Sequence, residues 1–275
     1  TLDRSSAASD VYKRQANTTG DYNVAVGRNS LGANTTANDN CALGVSALAA
    51  NTTGTSNAAF GRATLEANTT ATQKTGFGYN ALNDNTTGGE NTAVGSKSLD
   101  AKTTGDEKTA IGYSALGANT TGGENVAIGR ATLDGNTIGE KNVAVGYDAL
   151  GANTEGSQNT AVGYDALAAN TTAAYNTAFG YKASQLNTTG NANTALGRVA
   201  LYTNTVGDRN TAIGNAALYT FNPASNEDSY NTAVGYGALT SDTTGKYNTA
   251  VGGESLAANT TASNNCLLYT SPSPR

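Results

Sequence analysis

The sequence predicts an all-β chain folded as a parallel β-solenoid (a β-roll) of 14 coils, and three observations lead there. A 17-residue period runs through almost the whole chain, an apolar residue stands at one fixed place in every copy, and a glycine follows it each time. Copies start in strict register at Asn23, Asn40, Asn57, Asn91, Asn125, Asn142, Asn159, Asn176, Asn193 and Asn210, with Lys74 and Lys108 in the same place of two more. The copy that starts at Asn210 carries four extra residues around Pro223, after which Asn231 and Asn248 restart the register. The consensus is N-T-A-V-G-Y-x-A-L-x-A-N-T-T-G-x-x, whose places are called columns one to seventeen. A period kept over so many copies makes each copy one structural unit stacked on the last. A disordered tract would share the Gly, Asn and Thr content but would not require a fixed apolar pair in each copy.

The first element of each copy is a strand, because N-T-A-V is rich in β-branched residues. On it columns two and four share one face, while columns one, three and five share the other. Column four is always apolar (Val26, Leu43, Phe60, Phe77, Val94, Ile111, Ile128, Val145 and onward), and column nine is Leu in 13 of 14 copies. Ser184 is the exception in column nine, and Leu186 is expected to slide in for it. No Asp, Glu, Lys or Arg occurs in columns two to five, eight, nine or thirteen. Unpaired charge is excluded from interiors, so these columns are read as the inside, and columns one, six, seven, ten to twelve and fourteen to seventeen as the outside. Cys41, in column two, is then a small buried residue rather than a nucleophile.

The strand ends at the column-five glycine: Gly27, Gly44, Gly61, Gly78, Gly95, Gly112, Gly129, Gly146, Gly163, Gly180, Gly197, Gly214, Gly235 and Gly252. Glycine takes positive φ or close backbone approach without penalty, so a sharp turn belongs there. The x-A-L-x segment is a second short strand or a helical turn, and N-T-T-G-x-x makes the return turn. Stacking places Asn on Asn and Thr on Thr, in ladders that satisfy their amides between neighbours. The N-T-T triplets match a glycosylation sequon, but internal ladders account for them better. Each coil has a thin core, and the Ala of column three, facing away from column four, forms a stripe of small residues that other chains could cover. A trimeric rod is expected on that basis.

The two ends read differently. Residues 5–15 are SSAASDVYKRQ and residues 266–275 are CLLYTSPSPR. The reverse complement of DNA encoding residues 10–15, shifted by one base, encodes residues 266–271, so both ends look like a sequencing adapter translated in frame. The expected organisation is a non-native tail at 1–15, a repeat domain at 16–265 (complete repeats 23–264, insertion around 222–229), and a second non-native tail at 266–275. With no Met anywhere, the chain is expected to be a fragment of a longer product.

Composition narrows the function. The chain has no His, the commonest general base and metal ligand, and no nucleophile–base pair or Gly-rich loop with a Lys. No G-G-x-G-x-D calcium repeat occurs, and acidic residues do not recur in one column. Neither enzyme activity nor a cofactor nor a metal is expected. No apolar run is long enough to span a membrane, and the net charge of −5 disfavours nucleic acid as a partner. Large polar-aromatic side chains recur only in column six, as Tyr79, Tyr113, Tyr147, Tyr164, Tyr181 and Tyr236 with Arg28, Arg62, Arg130 and Arg198. This edge either contacts sugars or matrix proteins, or is a ladder of neighbours stacking on one another, the latter being favoured. Ice binding needs a flat T-x-T array and is a remote alternative, because column two pairs with Val in column four and Thr-Thr lies in a turn.

The strands N-T-A-V-G (159–163) and N-V-A-I-G (125–129) resemble the S-V-A-I-G strand of the head repeats in trimeric autotransporter adhesins (YadA-like heads). The longer pattern N-T-A-V-G-Y-x-A-L-x-x-N-T-T-G is similar to arrays upstream of the chaperone domain in tail-fibre proteins. The resemblance covers 16–265. It implies the shaft or head of a homotrimeric surface fibre, of a phage tail or a bacterial adhesin, that projects a binding tip. The alternative is a direct adhesin that binds host-surface glycan or matrix protein through the Tyr/Arg edge. It also implies an extracellular place, on a cell surface or virion. The 17-residue repeat is longer than that of the adhesin heads, so handedness does not carry over.

Overall fold

The computed structural model describes residues 16–101 and 104–268. The chain is an all-parallel β-solenoid of about 14–15 turns with a 17-residue repeat, as the sequence predicts. It divides into two compact units, Thr1–Ile138 and Gly139–Arg275. The first holds β1 (Val24–Val26), β2 (Cys41–Leu43), β3 (Ala58–Phe60), β4 (Thr75–Phe77), β5 (Thr92–Val94), β6 (Thr109–Ile111) and β7 (Val126–Ile128). The second holds β8 (Val143–Val145), β9 (Thr160–Val162), β10 (Thr177–Phe179), β11 (Thr194–Leu196), β12 (Thr211–Ile213), β13 (Thr232–Val234), β14 (Thr249–Val251) and β15 (Cys266–Leu268). Within each unit every strand pairs in parallel with the next, column on column, as in Thr92↔Thr109 and Thr160↔Thr177.

The strands are only three residues long because the column-five glycine ends each one, at φ between 122° and 141°. A side chain there would be strained by the backbone alone, and at Gly163 a Cβ would also run into the carbonyl of Gly180.

The two faces of the strand are the reverse of the expectation. The Ala of column three is buried, from Ala42 and Ala59 to Ala233 and Ala250, and columns two and four point outward. Val26 is 52 % exposed, Phe77 57 % and Phe179 48 %. The reason is the width of the coil. Gly76 is the one gap in the Ala column, and a Cβ added to it would lie 2.5 Å from Thr64 Cγ2 and 3.6 Å from Leu65 Cδ1. A cavity this shallow takes Ala against Leu and has no room for Val, Ile or Phe. Cys41, in column two, is accordingly half-buried rather than buried.

Columns one and twelve, expected outside, line the interior: Asn40, Asn57, Asn51 and Asn68 in the first unit, and Asn159, Asn193, Asn170 and Asn204 in the second, are all buried. Columns eight and nine are buried as expected. The x-A-L-x segment is neither strand nor helix. It is a turn in which columns seven and nine take left-handed backbone, with φ of 46–54° for the Leu column. Left-handed geometry costs a non-glycine residue about 1–2 kcal/mol. Burial of the Leu side chain and coil-to-coil hydrogen bonds offset that cost, such as Leu48 N–H to Thr64 O at 3.0 Å and Ser46 N–H to Arg28 O at 2.9 Å. Leu186 does not replace Ser184: Ser184 is itself buried with φ 51°, its Oγ lacks a hydrogen-bond partner, and Leu186 is 38 % exposed. The backbone ladder fixes column nine in place, so a side chain two residues on cannot reach the interior.

The insertion leaves the register intact, since Thr232 pairs with Thr211. Ala224, Ser225 and Asn226 are exposed, but Phe221, Pro223 and Ser229 are buried. Ion pairs Arg209–Asp228 and Lys246–Glu227 tie the loop to the coils on either side. At the C-terminal end β15 adds to β14, with all three of its residues exposed. Of the 266–275 tail only these three residues are described, and the 1–15 tail lies outside the described residues.

Candidate functional site

Three features of the coil carry chemistry. The first is the outward strand face. Columns two and four hold no charged residue in any of the 14 copies, although they point outward and are half-buried to exposed in a single chain. In the second unit column two is Thr in every coil from Thr160 to Thr249. A contiguous uncharged face with exposed Val, Ile, Leu and Phe is the kind of surface proteins cover.

The second is the column-six edge. Tyr147, Tyr164 and Tyr181 stack on one another, with ring centroids 5.1 and 5.5 Å apart. The neighbouring Asp165 carboxylate pushes the Tyr164 phenol up. Arg62 lies over the Tyr79 ring at 5.8 Å and Arg130 over Tyr113 at 5.9 Å, while Lys182 covers Tyr181. Arg198 is exposed. Arg28 and Arg62 flank the smaller Val45 and, with Ser46, Glu66 and Asn80, line a cleft of about 280 Å³. Tyr236, 63 % exposed, borders a second cleft over Gly237 and Ala257. Sequence reasoning missed two further stacks, Tyr202–Tyr219 at 5.3 Å and Tyr230–Tyr247 at 5.7 Å. Both pairs are spaced 17 residues apart, so the register contained the signal.

The third is the interior amide ladder. In an ordinary coil the column-one Asn accepts from the next coil through Oδ1, as Asn159 does from Asn176 N–H at 2.9 Å. Its Nδ2 donates to the column-fifteen carbonyl, Ala173 O at 2.8 Å. Asn170, in column twelve, donates to the same carbonyl at 3.1 Å and to Asn153 Oδ1 at 2.8 Å. Lys74 and Lys108 interrupt this pattern and are fully buried. Lys74 Nζ donates to Asn68 Oδ1 and Asn85 Oδ1, each at 2.6 Å, and Lys108 Nζ to Asn119 Oδ1 at 3.0 Å. Burial pulls the Lys74 amine down to about 7, helped by the charge of Lys108, and the Lys108 amine to about 8, with Asp106 opposing in both. The signal for these residues is two Lys in an otherwise all-Asn column, which charge alone reads as exposed.

Among the described residues no three His, Cys, Asp or Glu side chains come together to hold a metal, and no helix is long and apolar enough to cross a membrane. What fold and site define is a class, the all-parallel β-solenoid repeat proteins. Comparisons with protein-family models, with curated proteins and with solved structures find no match for this chain.

Proposed function

We propose that this chain is the structural shaft or head of a homotrimeric extracellular fibre, without enzymatic activity, that holds a binding tip away from a cell or virion surface. One observation carries the reading: an uncharged, partly apolar strand face repeats through every coil and is half-buried to exposed in a single chain. The Ala stripe, buried inside the coil, is not the contact surface. Columns two and four take that role, and three copies closing around an axis cover them without leaving an open face. The resemblance to fibre and adhesin-head repeats points to the same assembly. Sedimentation equilibrium tests it. The native chain should sediment as a trimer, and a variant carrying Val162→Glu and Val234→Glu should sediment as a folded monomer. A native chain that is monomeric and melts cooperatively at the same temperature as the variant would refute the assembly.

A second reading, direct adhesion, is favoured by the cleft between Arg28 and Arg62. Glycan-array binding by the native chain, lost in Arg62→Ser, would support it. Thr in column two also points outward from β9 to β14, although column four there is Val, Phe, Leu or Ile and no T-x-T array forms. Thermal hysteresis in a freezing assay would move the reading to that face.

A further inference from the structure

We infer that Lys74 and Asn85, and likewise Lys108 and Asn119, are paired to form intramolecular isopeptide bonds inside the first unit. Both lysines are wholly buried in the amide ladder, and each amine lies within hydrogen-bond reach of the column-twelve amide oxygen of its own copy, at 2.6 and 3.0 Å. A second, independent observation picks out the same two asparagines. Among the described residues, the buried side-chain nitrogens left without a hydrogen-bond partner are Asn85 Nδ2 and Asn119 Nδ2. Asn68, which also accepts from Lys74, keeps its own Nδ2 engaged, to Asn51 Oδ1 at 2.8 Å and Ala71 O at 3.1 Å. So the amide nitrogens that nothing tethers belong to the copies where Lys replaces Asn.

The step balances without a co-reactant. The neutral amine adds through its lone pair to Cγ of Asn85, the Cγ–Nδ2 bond breaks, and a proton passes from Nζ to the departing nitrogen. A secondary amide and ammonia result. A buried, desolvated lysine amine is a competent nucleophile, and the fold holds it against the amide. With the Lys74 amine near 7 and the Lys108 amine near 8, the first is mostly and the second about half unprotonated at pH 8. The product removes two liabilities together: a charge that burial disfavours and an unpaired amide nitrogen. The remaining N–H of Lys74 keeps its bond to Asn68 Oδ1. Each link would close its own turn of the coil covalently, across the interior from column one to column twelve.

Intact-mass measurement on the full chain decides it. The folded protein is held at pH 8, then denatured and weighed. Each link lowers the mass by about 17 Da, the mass of ammonia, and both together by about 34 Da. A tryptic digest should contain a looped peptide spanning 63–97, uncut after Lys74 and joined to Asn85. Lys74→Asn, which restores the column-one residue, should lose one link and keep the other. The full sequence mass with normal cleavage after Lys74 overturns the inference, and a link from Lys74 to Asn68 overturns the choice of Asn85.

Discussion

Column one is asparagine in every coil of the second unit, from Asn142 to Asn265, but is broken twice in the first, at Lys74 and Lys108. Asparagine both donates and accepts, so each Asn passes the relay to the next coil: Asn193 N–H to Asn176 Oδ1 at 2.9 Å, then Asn210 N–H to Asn193 Oδ1 at 2.9 Å. Lysine has three donors and no acceptor. It can end a relay but not carry one, and its longer stem takes it across the coil to the column-twelve amides. The second unit departs from the pattern elsewhere. Phe221 and Asp242 replace column-twelve Asn in successive copies, and both are buried. The Phe fills its place by packing, against Gly207 and beside Pro223, while Asp242 Oδ1 takes the Gly245 N–H at 2.8 Å. The polar interior thus tolerates substitution where the newcomer finds partners or fills space, whereas a newcomer that only donates leaves orphaned amide nitrogens, at Asn85 and Asn119.

Glycine substitutions should break both units most severely. Gly163→Val in the second and Gly61→Val in the first should each cost more than about 4 kcal/mol, since β-branched side chains do not take these φ values and the next coil's carbonyl blocks the Cβ. Thermal melting reads the effect, and a loss confined to one unit would show that the turn is not the shared determinant. Next comes the ladder. Asn159→Ala strands the buried Asn176 N–H and should cost about 2–3 kcal/mol.

A smaller effect concerns pH. Burial raises the Asp242 carboxyl above its ordinary 3.8. Between that value and the raised one the folded state binds more protons than the unfolded, so this group's contribution to stability falls as pH rises through the window. Asp242→Asn should therefore flatten the stability profile from pH 4 upward, as urea melts at several pH values would show. Tyr164→Ser should be the mildest, within about 1 kcal/mol, because the ring lies on the surface and loses only stacking. Equal melting shifts for Tyr164→Ser and Gly163→Val would count against the turn account.

The period, the strand at N-T-A-V, the glycine turn and the asparagine ladder were all legible in the sequence, because each depends on spacing or on backbone freedom. The direction of the faces was not. An uncharged column marks an interior or a covered exterior equally well, and Val162 and Ala161 differ in burial through the width of the coil, a tertiary property. The Leu turn was missed for a related reason: left-handed backbone at Leu167 has no local signature and is held by hydrogen bonds to the next coil, such as Leu167 N–H to Ala183 O at 3.1 Å. On the edge, Tyr147, Tyr164 and Tyr181 stack on their neighbours. The buried lysines have no sequence signal beyond their place in the Asn column, because charge by itself reads as exposure and only the column-twelve amides make the interior able to hold an amine.

Ala and Asn form the inside of each coil, while Thr and Val form its outside. Two adjacent substitutions test this arrangement directly, Ala161→Glu and Val162→Glu, compared by far-ultraviolet circular dichroism at 25 °C. A carboxylate at Ala161 has no room and no partner, so the β signal of that variant should collapse. Val162 is half-buried on the outward face, where a carboxylate can reach water, so the β signal should persist. Retention of structure in Ala161→Glu together with collapse in Val162→Glu would contradict the account and restore the opposite orientation of the strand.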